Sequence, residues 1–236
     1  MFDVFRGFVR LTWPRACAAC GALCGDARFC STCGPLVSPR DAPRCRLCDA
    51  ELPCPGPSHR CGRCLVRPPT FDRAWGVFDY AGPVGDAVRR GKYGREVAAM
   101  RAVARAVGAH LPAELIDDPP GVVVPVPLHP RRLRQRGFAA PLVIAVAVGR
   151  ALGVRCARRV LTRSRDTPEQ AGLADDKRRR NVRRAFVAAS LREDDVLVVD
   201  DVLTTGATAS AVADALRGAG ARRVRVLAAA IVDRTP

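Results

Sequence analysis

Eight cysteines spaced as four CxxC pairs constrain the beginning of this chain more tightly than any other feature. They are Cys17 and Cys20 in "CAAC", Cys30 and Cys33 in "CSTC", Cys45 and Cys48 in "CRLC", and Cys61 and Cys64 in "CGRC". A two-residue gap lets both sulfurs of a tight turn face one tetrahedral ion at about 2.3 Å, and two such turns complete a closed structural shell. Taken in order, the first two pairs make one Zn2+ site and the last two a second. A cross-braced pairing, first with third and second with fourth, has the same spacing and stays open. Cys24 and Cys54 are left over. The surrounding sequence is rich in Pro and Gly and poor in large aliphatics, so metal binding has to supply much of this module's folding free energy. Four thiolates leave no open position for a catalytic water, which makes the role structural. A disulfide framework would need an oxidising compartment and a secretory leader.

The first residues, "MFDVFRGFVRLTW", are apolar enough to resemble a leader, but Arg6 and Arg10 interrupt them and no cleavage site follows. They are expected to form a short amphipathic helix over 1–14 that docks on its own protein. The chain is accordingly expected to be cytoplasmic, and no apolar run approaches the roughly 20 residues of a membrane span. The formal charge of +16 on 236 residues favours acidic partners such as nucleic acid or phosphorylated small molecules. Nearly all of that charge is Arg, with Lys92 and Lys177 as the lysines.

After the cysteine module, expected over 15–68, the pattern changes. From Phe71 onward short aliphatic runs alternate with amphipathic ones. "RAWGVFDY" reads as a strand, Val84 to about Lys92 and Arg95 to about His110 as helices, and "GVVVPVP" as a buried strand. "APLVIAVAVGRALG" is a helix stopped by Gly153. "DVLVVD" is a further buried strand, "TASAVADALRGAGA" a helix, and "RVRVLAAAIV" a closing strand. Continuous aliphatic strands alternating with helices predict an α/β fold over 71–236, with a mainly parallel sheet covered on both faces. Ligands of such folds sit beyond the carboxyl ends of the strands.

One of those ends carries "VLVVDDVLTTGATAS". Asp200 and Asp201 mark the strand's exit, and the following loop enters a helix whose free N–H groups suit an anion. Gly206 permits a positive φ, and the hydroxyls of Thr204, Thr205 and Thr208 can donate to phosphate oxygens. Two carboxylates do not serve a phosphate. This string resembles the phosphoribosyl-pyrophosphate (PRPP) motif of type I phosphoribosyltransferases. The resemblance implies that the acid pair takes the ribose hydroxyls while Thr204, Thr205, Gly206, Ala207 and Thr208 cradle the 5'-phosphate. "VPVPLHPRRLRQRGF" from Val124, "TPEQAGL" with Gln170, and "RRRNVRRAF" ending at Phe186 extend the likeness to the ComF family of competence proteins. Members of that family carry cysteine knuckles before a phosphoribosyltransferase domain. Where the family usually has Asn-Gln after "RGF", this chain has Ala139 and Ala140.

Transfer from PRPP breaks the bond from ribose C1 to pyrophosphate, so the protein's main task is to neutralise the leaving group with Mg2+ and cations. Arg136, in the "RGF" element, and Arg132 are the first candidates, with Arg131 and Arg134 beside them. The stretch between Arg163 and Asn181 reads as a lid that excludes water, with Gln170, Arg178 and Asn181 at family-matched positions. Lys92, in "GKYG", is a further candidate cation on a loop. Base-salvaging relatives carry an acid where this chain has Thr204, which cannot remove a proton at neutral pH, and this argues against purine salvage. Two functions from different classes follow. One is phosphoribosyl transfer to an unidentified acceptor. The other is PRPP binding without turnover, in a factor that handles single-stranded DNA during uptake, alone or with a helicase-like partner. Single-strand binding by so few aromatics would be mainly electrostatic.

Overall fold

The computed structural model describes residues 15–25, 28–41, 43–53, 56–57, 59–164 and 185–232. The helix expected over 1–14 lies outside them, as does Cys54. After a short helix α1 (Gly62–Val66) that ends the cysteine module come β1 (Arg73–Asp79), α2 (Gly82–Tyr93), α3 (Val97–Ala109), α4 (Ala113–Asp117) and β2 (Val122–Pro125). They are followed by α5 (Pro130–Arg136), α6 (Ala140–Leu152), β3 (Leu161–Arg163), β4 (Phe186–Ala188), β5 (Asp195–Leu203), α7 (Ala207–Gly218) and β6 (Arg223–Ile231).

Four strands form one sheet in the order β1-β6-β5-β2, every neighbour parallel. The aliphatic runs explain this arrangement, because a parallel sheet is covered on both faces and its strands have no wet side to satisfy. In β5, Val196, Leu197, Val198 and Val199 are all fully buried. Leu197 and Val199 join one apolar layer with Val123, Trp75 and Leu227, into which α2, α3 and α6 pack. Val196 and Val198 join the other with Val124, Val226 and the buried face of α7, together with Leu161 and Phe186 of the antiparallel β3–β4 pair. The chain therefore crosses from β2 to a helix on one face and from β5 to a helix on the other. Between β2 and β5 the connections diverge, which opens a crevice at the carboxyl edge.

Both edges of the sheet are occupied. Along β2, Val123 donates to Arg155 O and accepts from Ala157 N–H, at 3.0 and 2.8 Å. Along β1, the segment from Arg40 to Asp49 supplies the partners. Arg40 N–H donates to Val77 O at 3.0 Å, Ala74 N–H to Leu47 O at 2.8 Å, and Gly76 N–H to the Asp49 carboxylate at 2.8 Å. Asp49 is buried with a φ of 62° and has Arg40 and Arg44 at 3.6 and 3.5 Å. A buried carboxylate is tolerated there because donors and cations surround it. At the amino-terminal edge, Arg225 is equally buried and is clamped by Asp195 and by Asp118 O, both at 2.7 Å.

The expected α/β architecture is present, with three additions. α5 forms where the arginine-rich stretch read as irregular, because Pro130 opens it, the His129 side chain accepts the Arg131 N–H, and Gly137 closes it with a φ of 78°. The β3–β4 pair and α4 are too short to carry a periodic signal. Strand β5 also continues past the acid pair to Leu203, since its pairing with β6 runs on to Ile231.

Candidate functional site

The crevice between β2 and β5 holds the acid pair. Asp201 is buried and its Oδ1 lies 2.7 Å from Lys92 Nζ, which is itself only 12% exposed. Lys92 sits in the last turn of α2 and not on a loop as its sequence context suggested. Its location is not that of a surface lysine. Asp200 accepts the backbone N–H of Asp201 at 2.8 Å. Burial first, and then the charge of Asp201, push its carboxyl up to about 7, against the pull of Lys92 and Arg163. Arg163, on β3, was read as the start of a lid. Its guanidinium stacks over Phe186 at 5.5 Å, and its charge reaches Asp200. No sequence motif marks that role, because it arises from the pairing of β3 with β4.

Beyond the acid pair, the loop turns tightly into α7. Gly206 takes a φ of 74° at the start of α7, a conformation that strains any residue with a Cβ, and the Phe71 ring lies against it. Thr205 is buried and its hydroxyl accepts the Ala207 N–H at 3.2 Å, so this threonine caps the helix. Ser210 N–H donates to Gly206 O. By the geometry of any α-helix, the amides of Thr208 and Ala209 have no carbonyl of their own helix to donate to. With Thr204 exposed and Thr208 half-buried, two hydroxyls accompany those amides.

From the other side of the crevice, β2 is in register with β5 so that Pro125 lies opposite Val199, and Val126 N–H donates to Val199 O at 2.9 Å. The chain then enters α5 a few residues beyond the same edge. Arg132 and Arg136, spaced i, i+4, are half-buried, whereas Arg131 and Arg134 are exposed. The two arginines favoured from sequence therefore share the face of α5 that is turned toward the body of the protein. Ala139 stands at the N-cap of α6 with no side-chain cap, and Ala140 is buried in the core. Gln170, Arg178 and Asn181 lie outside the described residues.

The cysteines resolve into two groups, Cys17, Cys20, Cys30 and Cys33, and Cys45, Cys48, Cys61 and Cys64, each with its sulfurs within 4.8 Å of one another. Pairing in sequence order is thus the arrangement present, and the cross-braced alternative falls. Cys20 and Cys30 sulfurs are 3.8 Å apart and those of Cys48 and Cys61 3.7 Å, the edge of a tetrahedron around an ion with bonds of about 2.3 Å and far beyond the roughly 2.05 Å of a disulfide. Burial opposes ionisation of Cys17 and Cys45. N–H groups aimed at their sulfurs, including those of Cys30 and Cys61 at 3.3 Å each, outweigh it and bring both down to about 6. Burial pushes Cys33 up to about 12 and Cys64 higher still, with neighbouring sulfurs adding to both. Four thiolates can coexist in such a group only around a cation, so the donor sets fit zinc. Cys24, outside the first group, has its thiol raised by burial and by the sulfurs of Cys17, Cys30 and Cys20.

A parallel sheet with a double acid at a strand end, leading into a glycine turn and a helix N-terminus, defines a phosphoribosyltransferase domain. Residues 141–235 match the phosphoribosyl transferase domain family. The relatives also cover the cysteine module. DNA utilization protein YhgH of Salmonella typhimurium is 33% identical over 92% of this chain and 96% of its own length, and its Escherichia coli K12 counterpart is 31% identical over the same shares. Competence protein F of Haemophilus influenzae is 28% identical over 84% of this chain and 88% of its own. The chain belongs to this ComF/YhgH family.

Proposed function

We propose that the chain binds PRPP with Mg2+ in the crevice between β2 and β5 and transfers its phosphoribosyl group to an acceptor, with release of pyrophosphate. The observation that carries this reading is the Asp200–Asp201 pair shortly before the Gly206 turn, with Asp201 buried and Lys92 held against it. One ligand that offers hydroxyls to carboxylates and a phosphate to helix amides satisfies both halves of the site. The acid pair takes the ribose hydroxyls, and the Thr204–Thr208 loop takes the 5'-phosphate. Arg132, Arg136 and Lys92 face the pyrophosphate and compensate its growing charge as the C1–O bond lengthens. Asp200 and Asp201 would help hold Mg2+, which would supply further charge neutralisation on the leaving group. Gln170, Arg178 and Asn181 belong to the proposed site by their family-matched positions alone, since they lie outside the described residues. An exposed Thr204 offers no base, so the acceptor has to be a nucleophile that needs little deprotonation, such as an amine.

In this reading, 15–68 is a structural zinc module and 71–236 is the transferase domain. The reading places the protein in a reducing, cytoplasmic compartment, where eight thiolates can hold zinc. Among the described residues, no single helix is long and apolar enough to cross a membrane.

The names of the relatives, DNA utilization protein and competence protein, favour a second reading. In it PRPP is bound but not consumed, and the basic chain handles single-stranded DNA, with or without a helicase-like partner. One experiment separates the readings. Calorimetric titration with Mg2+-PRPP is expected to give a single site that Asp200→Asn with Asp201→Asn abolishes. Binding that survives in the double variant would overturn the site assignment. Pyrophosphate release across a panel of amine acceptors supports the transferase. Binding without release, together with retardation of single-stranded DNA that weakens steeply between low and physiological salt, supports the second reading.

A further inference from the structure

Lys92 meets Asp201 from the last turn of α2, and the position of that turn is set partly from outside the transferase domain. On one side α2 lies so close to α3 that a Cβ on Gly91 would come within 2.8 Å of Met100 Cε. The other side rests on the first cysteine turn. Ala18, in the middle of that turn, is buried in the same apolar layer as Val84, Ala87 and Val88 of α2. Arg90, two residues before Lys92, directs one guanidinium nitrogen at Ala19 O, 3.5 Å away, while the other nitrogens hold Glu96 Oε2 at 3.1 and 2.8 Å. Its guanidinium fills the space in front of Gly21, where a Cβ would lie 2.5 Å from Arg90 Nη1. Gly21 N–H in turn donates to Cys17 O at 3.0 Å, and Cys17 N–H to Ala22 O at 2.7 Å. The ion that gathers Cys17, Cys20, Cys30 and Cys33 would therefore fix the surface against which Arg90 rests. The second cluster meets a different element, since its turn lies along β1 through Leu47 and Asp49.

We propose that Arg90 is a positioning residue through which the first zinc knuckle holds Lys92 against the acid pair, so that metal in the first cluster and PRPP in the crevice stabilise each other while the second cluster stands apart. The proposal rests on the PRPP reading above. Linkage between two binding sites is reciprocal, so it can be read from the metal side without any turnover.

The test uses the full chain loaded with two equivalents of zinc, and follows transfer of the metal to a chromophoric chelator with and without saturating Mg2+-PRPP. Iodoacetamide labelling during release, read by mass spectrometry, assigns each phase to Cys17–Cys33 or Cys45–Cys64. PRPP is expected to slow release from the first cluster by about five-fold or more and to leave the second unchanged. Arg90→Met should keep two zincs, lose this protection and weaken PRPP binding, and Arg90→Lys should restore part of both. Protection of both clusters alike, or of neither in a wild-type chain that binds PRPP calorimetrically, overturns the coupling and leaves the PRPP reading standing. Full protection in Arg90→Met removes Arg90 from the link. A wild-type chain that shows no calorimetric binding of PRPP overturns the PRPP reading, and this proposal with it.

Discussion

Asp200 sits where burial and the neighbouring Asp201 do not suit its charge, and the physics of that one carboxyl makes a prediction. Its folded pKa of about 7 stands above the ordinary carboxylate value of 3.8, so between those values the folded protein binds a proton that the unfolded chain releases. Stability from this group is then greatest in acid, falls as pH rises through the window, and is at its lowest above 7. Asp200→Asn removes the penalty and keeps an oxygen for the Asp201 N–H. At pH 8 the variant is expected to be more stable than wild type by on the order of 2 kcal/mol, or about 5 °C in melting temperature. Near pH 4 the gap should vanish. Calorimetric melts across that range check it, and a gap that is independent of pH would contradict the assignment. The same proton opposes the ligand, because ribose hydroxyls need ionised acceptors. PRPP affinity should therefore rise as pH passes upward through about 7. Stability gained at the expense of ligand is the usual trade at binding sites.

At the level of elements, helix α6 begins with an unfilled position. Ala139 has the extended backbone of an N-cap, with φ −104° and ψ 113°, but nothing to offer the first-turn amides. Ala139→Asn is expected to add about 1 kcal/mol of stability, visible as a rise of roughly 2–4 °C in melting temperature. An unchanged or lower value would mean that the amide cannot reach those donors. The elements also separate what is legible in a sequence from what is not. The strands of the main sheet and the helices α2, α3, α6 and α7 announce themselves because burial on a fixed face forces a period. Gly153 and Gly206 mark turns because only glycine takes those angles cheaply. The acid pair, the Gly206 turn and the four CxxC turns were readable for the same reason, since short-range geometry dictates them, whereas which turns share a group was not, because both pairings have the same spacing. Helix α5 was masked by its arginines, although Pro130 and Gly137 bracket it as start and stop signals. The contact of Lys92 with Asp201 and the reach of Arg163 to Asp200 join residues far apart in the chain. No local pattern encodes such pairs, and the folded sheet has to bring them together.

At the scale of the whole molecule, the chain divides near residue 70, with the two cysteine groups before it and the phosphoribosyltransferase sheet after it. The hydrogen bonds cross that line. Val77 O, Ala74 N–H and Gly76 N–H of β1 are satisfied by Arg40, Leu47 and Asp49. A chain trimmed to 71–236 would present these groups as an open strand edge, the template on which sheets of separate molecules join. Such a fragment is expected to form concentration-dependent multimers in light scattering, even with the Thr204–Thr208 loop intact. A fragment that keeps the full chain's assembly state would show that the edge needs no cover. Asp49 is the pivot of that seal, because its carboxylate, turned inward by a left-handed backbone, stands in for the carbonyl of an absent fifth strand. On that expectation the cysteine module doubles as a guard against self-association, holding the groups of β1 that a neighbouring molecule would otherwise pair with.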